Sequence, residues 1–216
     1  MKWDKGIDHE LDFWNEWYRT RGLEWPDDYL FRLDSNAEIQ THVAAFLKTG
    51  KERILDVGAG PLTVLGKKWQ GCKLEITACD ALADAYRDMN KLYMITPLII
   101  TEKCKAENLT NVYRHNSFDI VHAQNSIDHC EDPFDAITQM LFVLKRGGVM
   151  LLRHEVNEAE NENYKGFHQW NLYEQHGHFM IGDKRFHGSI NNLLCHAGTI
   201  ETKIEAGYIY NTIWKK

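Results

Sequence analysis

The chain has 216 residues, 44% of them hydrophobic and 26% charged, with a formal net charge of -6. This is a globular composition, long enough for one domain with a full core, and not that of a disordered segment. The mild acidity argues against a general nucleic-acid binder, which needs a basic face.

Cys72, Cys79, Cys104, Cys130 and Cys195 are scattered, odd in number and without CxxC spacing. They argue against a disulfide framework or a cysteine zinc site. The opening residues, MKWDKGIDHELDFW, carry no apolar run behind their lysines. No stretch approaches the ~18 apolar residues of a membrane span. The expectation is a soluble protein of a reducing compartment, most simply the cytoplasm.

Residues 1–36 read as an N-terminal helical cap. FWNEWYRT puts Phe13, Trp14, Trp17 and Tyr18 at helical spacing on one stripe, and a turn is expected at Pro26. The stripe packs on the core or serves as a lid; as a lid it would offer Arg32 as an anion clamp for substrate. Residues 37–216 read as a single globular unit. AEIQTHVAAFLKTGKE predicts an amphipathic helix ending near Gly50, and RILDVG a short buried strand. GPLTVLGKKWQ predicts a loop and short helix, KLEITACD a strand, LADAYRDMNKLYM a helix and IITEKCKA a third strand. FDIVHAQN is a strand, DPFDAITQMLFVLK a helix with Pro133 in its first turn, and VMLLRHE a strand after Gly147–Gly148.

Strands thus alternate with helices from about residue 38 to 155, the pattern of an open α/β sheet of parallel strands with right-handed crossovers. Beyond 155 the chain turns polar, aromatic and histidine-rich. GSINNLLCHAG reads as helical, and TKIEAGYIYNTIWKK as closing strands with a hairpin around Ala206–Gly207.

In such sheets ligands bind beyond the carboxyl ends of the strands. ILDVGAGPL sets Asp56, Gly58 and Gly60 where the first strand ends. Glycines there let backbone approach a ligand closely. The second strand ends at Asp80, twenty positions after Gly60, where an acid accepts hydrogen bonds from ribose hydroxyls or caps the next helix. A dinucleotide turn needs G-x-G-x-x-G, and the third position here is Thr63. Asp56 would repel a pyrophosphate but suits the sulfonium and ammonium of S-adenosylmethionine (AdoMet).

ILDVGAGP and ITACD resemble the first two motifs of class I AdoMet-dependent methyltransferases. AENL, FDIVHAQNSIDHCEDP and LKRGGVMLL resemble, in order, their adenine segment, fourth strand with its loop, and fifth strand. The resemblance implies a Rossmann-like α/β three-layer sandwich: a mostly parallel seven-stranded sheet whose last strand is antiparallel. It implies that Asp56, Gly58 and Gly60 line the methionine end of AdoMet. Asp80 and Ala81 would hold the ribose, Ala106 and Glu107 border the adenine, and Gln124 and Asn125 flank the sulfonium. Lys105 stands where many members have an acid, and Leu62 where many have glycine.

For the acceptor, the loop after the fourth strand carries Asp128 and His129, and the fifth strand ends in Arg153-His154-Glu155. His129 and His154 are the candidate bases, since histidine titrates near neutral pH, and Asp128 would orient one of them or cap the next helix. Asp128, His129, His154, Glu155 and Glu158 could ligate a divalent metal, but their spacing matches no metal motif, and no metal ligand is assigned. There is no NPPY-like motif. HEVNEAENENYKGFHQWN mixes polar groups with flat aromatics, and makes Glu155, His168 and Trp170 candidate substrate residues. It resembles a segment of small bacterial methyltransferases of surface-polysaccharide pathways. The expected partner is therefore a small molecule, such as a saccharide methylated on oxygen. A catalytically silent AdoMet-binding protein and a nicotinamide-dependent oxidoreductase are the alternatives.

Overall fold

Ile54, Leu55, Asp56 and Val57 are all buried. An unbroken buried run belongs to a parallel strand paired on both edges and covered on both faces. The computed structural model describes residues 4–216. The N-terminal helices are α1 (Asp4–Thr20), α2 (Pro26–Leu33) and the single turn α3 (Thr41–Ala44). There follow β1 (Arg53–Val57), the short hairpin β2 (Lys68–Trp69) and β3 (Cys72–Lys73), β4 (Glu75–Asp80), α4 (Ala83–Leu92), β5 (Thr101–Lys103) and α5 (Leu109–Val112). Next come β6 (Phe118–Gln124), α6 (Pro133–Val143), β7 (Leu144–Glu155) and α7 (Glu158–Asn161). The chain ends with β8 (Asn171–Gln175), β9 (His178–Gly182), β10 (His187–Ser189), α8 (Ile190–Leu193), β11 (Gly198–Glu205) and β12 (Tyr208–Lys215).

The main sheet has seven strands in the order β11-β12-β7-β6-β1-β4-β5. β7, β6, β1, β4 and β5 are parallel neighbours, and β12 runs antiparallel to both β7 and β11. This is the expected mostly parallel sheet with an antiparallel last strand. Alternation along the strands splits the core between two faces. Leu55, Val121 and Met150 pack with Ile137 and Met140 of α6 and with Phe179 of β9. Ile54, Ile120 and Leu151 pack with Ile39, Val43 and Leu65 on the other face. The strand order reverses between β1 and β6, so their carboxyl ends open a crevice there.

Local chemistry explains the best-read elements. Asp132 caps α6, its carboxylate accepting from the Phe134 and Asp135 N–H groups at 2.9 and 3.1 Å, with Pro133 in the first turn. The closing hairpin turns on Ala206 (φ 51°) and Gly207 (φ 82°), the all-positive pair of a tight hairpin turn.

Two expectations need correction. Residues 37–52 do not form one helix; only Thr41–Ala44 is helical. Ahead of it the chain is extended, Glu38 bridging Lys68 and the Ile39 N–H donating to the Lys68 carbonyl at 2.8 Å. The short helix expected after the glycine turn is also missing. Residues 60–67 form a loop whose backbone groups are satisfied by side chains: Arg32 donates to the Leu62 carbonyl, Gln40 to Val64 and Lys67 to Leu65. These side-chain partners, two of them distant in sequence, replace the hydrogen bonds a helix would supply. Residues 171–189, to which the sequence reading assigned no strand, form a separate three-stranded antiparallel sheet that the polar composition hid. It buries Leu172, Phe179 and Ile181 on the main core. Among the described residues no helix is long and apolar enough to cross a membrane.

Candidate active site

The crevice holds a cavity of about 560 Å³, ample for a nucleoside-sized ligand. All nine residues expected around AdoMet border it: Asp56, Gly58, Gly60, Asp80, Ala81, Ala106, Glu107, Gln124 and Asn125. So do His129, Arg32, Glu155 and His168. Asp128, His154 and Trp170 are not part of its wall.

Gly58 (φ 67°) and Gly60 (φ 65°) occupy the left-handed region that favours glycine. Both also face close neighbours. A Cβ on Gly58 would lie 2.4 Å from Ser126 Cβ, and one on Gly60 would lie 2.8 Å from the Trp14 ring. The second contact was not legible in the sequence: α1 lays an aromatic ring directly on the glycine turn. Asp80 closes the turn from the neighbouring strand, its carboxylate accepting from the Gly60 N–H at 3.0 Å and the Leu82 N–H at 2.9 Å. Burial pushes Asp80 up to about 6, while those two N–H groups pull it down. Asp56 is fully engaged from behind, accepting from the Thr63 hydroxyl and, at 2.7 Å, facing His122 Nδ1. Thr63, which breaks the dinucleotide pattern, thus holds the acid in place.

Other expected residues have structural partners as well. Glu107 accepts from the Glu131 and Asp132 N–H groups ahead of α6, at 2.8 and 3.2 Å. Asn125, at φ 44°, accepts from the Glu155 N–H through its side chain at 3.2 Å and pins the end of β7. Arg32 is bound to Asp28 at 2.7 Å and to the Leu62 carbonyl at 2.7 Å, with Trp14 and Trp17 against its guanidinium. It ties α2 to the glycine loop. Lys105 pairs with Glu131.

At the other end of the cavity, Asp128, His129 and His168 converge. His168 Nδ1 lies 2.8 Å from Asp128 Oδ2 and 3.2 Å from His129 Nε2, and His129 Nε2 lies 3.4 Å from the same carboxylate oxygen. Burial works against the Asp128 charge, but His129 and the His168 hydrogen bond outweigh it and hold the carboxyl at about 2. Burial also works against a charged His168, yet the Asp128 hydrogen bond and charge raise it above the ordinary histidine value. Glu10 of α1 approaches from outside, 3.9 Å from His129 Nδ1. Glu158 borders the cavity; burial and the adjacent Glu155 raise it to about 8.

His154 sits behind this cluster, 1% exposed, with Nε2 accepting from the Ile127 N–H at 3.1 Å. Burial pushes it down to about 3, so it is a neutral imidazole bracing the loop that carries His129. Trp170 donates to the Cys130 carbonyl at 3.0 Å and packs its ring on Phe134. Its contacts are with the wall rather than the cavity. Glu10 and Trp14 are the residues that sequence reasoning missed. Both lie on the aromatic helix α1, whose stripe was visible but whose docking site was not.

Residues 55–152 match the family model described as a methyltransferase domain. That span runs from β1 to β7 and leaves out α1, α2 and the segment that carries His168. No curated protein matches the sequence. Among solved structures, the chain is similar to a SAM-dependent methyltransferase of Thermotoga maritima, described as a possible histamine N-methyltransferase. Identity is 18%, covering 95% of this chain and 97% of that one, with a TM-score of 0.56. A protein of Methanococcus maripaludis, provisionally assigned as an S-adenosyl-L-methionine-dependent methyltransferase, gives 16% identity, 95% and 92% coverage and a TM-score of 0.58. One of Listeria monocytogenes, assigned in the same provisional way, gives 13% identity, 81% and 97% coverage and a TM-score of 0.51. The fold is the Rossmann-like methyltransferase fold. The matched domain and these neighbours imply AdoMet as the cofactor.

Proposed function

We propose that the chain transfers the methyl group of AdoMet to a hydroxyl of a small polar acceptor, and that the acceptor is a sugar. The observation that carries this reading is the acidic character of the cavity's charged groups. Asp56, Asp80, Glu107 and Glu155 border it, while Arg32 and Lys105 are already paired with Asp28 and Glu131 and Arg153 lies over the Tyr208 ring. Such a wall suits a sulfonium and an ammonium and repels a pyrophosphate. The methyltransferase-domain match over residues 55–152 supports the same choice.

When bound, AdoMet supplies an electrophilic methyl group. The C–S bond breaks with its electron pair left on sulfur, the acceptor oxygen forms the new C–O bond, and the hydroxyl proton is lost. In this reading Asp80 binds the ribose, and the Gly58–Gly60 backbone seats the methionine end. Gln124 and Asn125 border the sulfonium. The acceptor lies toward His129, His168 and Glu155, and the hydroxyl proton leaves by way of the Asp128-centred cluster to solvent. Holding the two reactants in line supplies several kcal/mol of the barrier. Phe13 and Trp25, exposed on the cavity wall, offer apolar rings beside the polar groups, as sugar faces require. The free cysteines agree with a reducing compartment, and we infer the cytoplasm.

The test is transfer of labelled methyl from AdoMet to a panel of sugars and nucleotide sugars. His129→Ala is expected to lower kcat by roughly 100-fold or more, the range of acid–base assistance, with AdoMet affinity preserved. Labelling of amines but not hydroxyls would contradict the oxygen acceptor. Undiminished transfer in His129→Ala would contradict the role of the cluster.

A further inference from the structure

The Asp128–His129–His168 cluster gathers three metal-type ligand atoms within reach of a single ion. Three ligand atoms, His129 Nε2, His168 Nδ1 and Asp128 Oδ2, form a triangle with edges of 2.8, 3.2 and 3.4 Å. Two neutral imidazoles and one carboxylate can fill the Asp128–His168 edge with a proton. With both imidazoles donating to the carboxylate, the 3.2 Å nitrogen–nitrogen approach is an ordinary contact, and the three atoms stay gathered at one point. A cation above the triangle lets all three atoms offer lone pairs at once.

The dimensions fit. An ion placed ~2.1 Å from each atom, the usual distance for nitrogen and oxygen ligands, would subtend angles of about 84° to 108° between them. Those are the angles of three ligands on one face of a tetrahedral or octahedral ion. Residues bearing suitable outer partners surround the triangle. With Nε2 on the ion, the Nδ1–H of His129 would face Glu10 Oε2, 3.9 Å away, the carboxylate–histidine arrangement typical of metal sites. Glu158, on the cavity wall, has a buried Oε2 with no hydrogen-bond partner among the described residues. Asp128 is 2% exposed, whereas His129 and His168 border the cavity, so the remaining coordination positions open toward the acceptor.

We propose that Asp128, His129 and His168 bind a divalent transition-metal ion, of the Zn²⁺ or Mn²⁺ type rather than Mg²⁺, and that this ion holds the acceptor hydroxyl. Imidazole ligands favour such ions over Mg²⁺, which takes oxygen ligands and keeps its waters. The ion lowers the pKa of the hydroxyl it binds, so that the proton departs to solvent before the oxygen attacks the methyl carbon. The ligand set joins the loop after β6 to the segment between α7 and β8, parts of the chain 39 and 40 positions apart. The ion's catalytic role rests on the methyltransferase reading; its binding does not.

The experiment uses the whole chain, stripped with a chelator and titrated with Co²⁺ as a coloured probe and with Mg²⁺. AdoMet binding is followed separately by calorimetry. The expected result is one Co²⁺ per chain with visible absorption of a four- to five-coordinate site, and no loss of that absorption when Mg²⁺ is added in excess. His168→Ala and Asp128→Asn should each weaken Co²⁺ binding by more than about tenfold while AdoMet still binds. His168→Ala carries the test if the buried Asp128 change disturbs folding. No Co²⁺ uptake, or uptake unchanged in His168→Ala, overturns the proposal and leaves the cluster as a proton relay. Co²⁺ uptake without AdoMet binding supports the metal site and overturns the methyltransferase reading instead.

Discussion

Asp80 is a carboxylate whose burial raises its pKa to about 6 while it accepts two backbone N–H groups. Glu10 acts in the same direction as burial, and His129 against it. Only the ionised form accepts strongly from ribose hydroxyls. AdoMet affinity should therefore be full above pH 7 and decline as pH falls through about 6, a dependence lost in Asp80→Asn; calorimetry across that range reads it. A flat profile in the native protein would contradict the role given to Asp80. Gly58→Ala should abolish AdoMet binding, because it combines a left-handed backbone with a 2.4 Å clash at Ser126. The glycine turn and Asp80 were legible in the sequence because turn chemistry is local and its spacing survives in the chain. His168 could not be grouped with His129 that way. Thirty-nine positions separate them, and only tertiary packing brings the rings together.

At the scale of elements, α1 seals the turn. Its Trp14 ring touches Gly60 and packs edge-on against Trp17 and Tyr86. Trp14→Ala should weaken AdoMet binding roughly tenfold, equivalent to about 1.4 kcal/mol, mainly through faster release. Stopped-flow dissociation measures this, and an unchanged release rate would contradict a sealing role. The closing hairpin offers a stability test. Ala206 holds φ 51°, a conformation asparagine and glycine adopt more readily. Ala206→Asn should stabilise the protein by about 0.5–1 kcal/mol in urea denaturation. The helical stripe of α1 was readable from Phe13, Trp14, Trp17 and Tyr18. The helix expected over residues 37–52 failed because its apolar residues serve an extended segment docked on the loop after β1. There Glu38 and Ile39 meet Lys68.

Across the whole molecule, the alternation of strands and helices to residue 155 was sufficient to read the parallel part of the sheet; the seven strands and the antiparallel last one came from the family resemblance, with which the closing hairpin agrees. The sheet of β8, β9 and β10 was not readable, because its buried residues are few and spread among polar ones. Stability should share one pH dependence. Burial holds His42 at about 4 and His154 at about 3. The unfolded chain takes up these protons near the ordinary histidine value of about 6.5, so it binds more protons than the folded chain below that pH. The contribution is full above pH 6.5 and is lost as pH falls from there toward 4. Asp80, Glu158 and His168, all raised by folding, act the other way in native protein and variant alike; the urea midpoint of the native protein should therefore fall relative to that of His154→Gln between pH 7 and pH 5.

The central claim is that the carboxylate-lined crevice at the end of β1 receives a sulfonium nucleoside. Calorimetric titration of the intact protein with AdoMet, S-adenosylhomocysteine and NADH, repeated on Asp80→Ala, addresses it most directly. The account predicts binding of both sulfur nucleosides, weakened by the substitution, and no binding of NADH. Binding of NADH without AdoMet would contradict it.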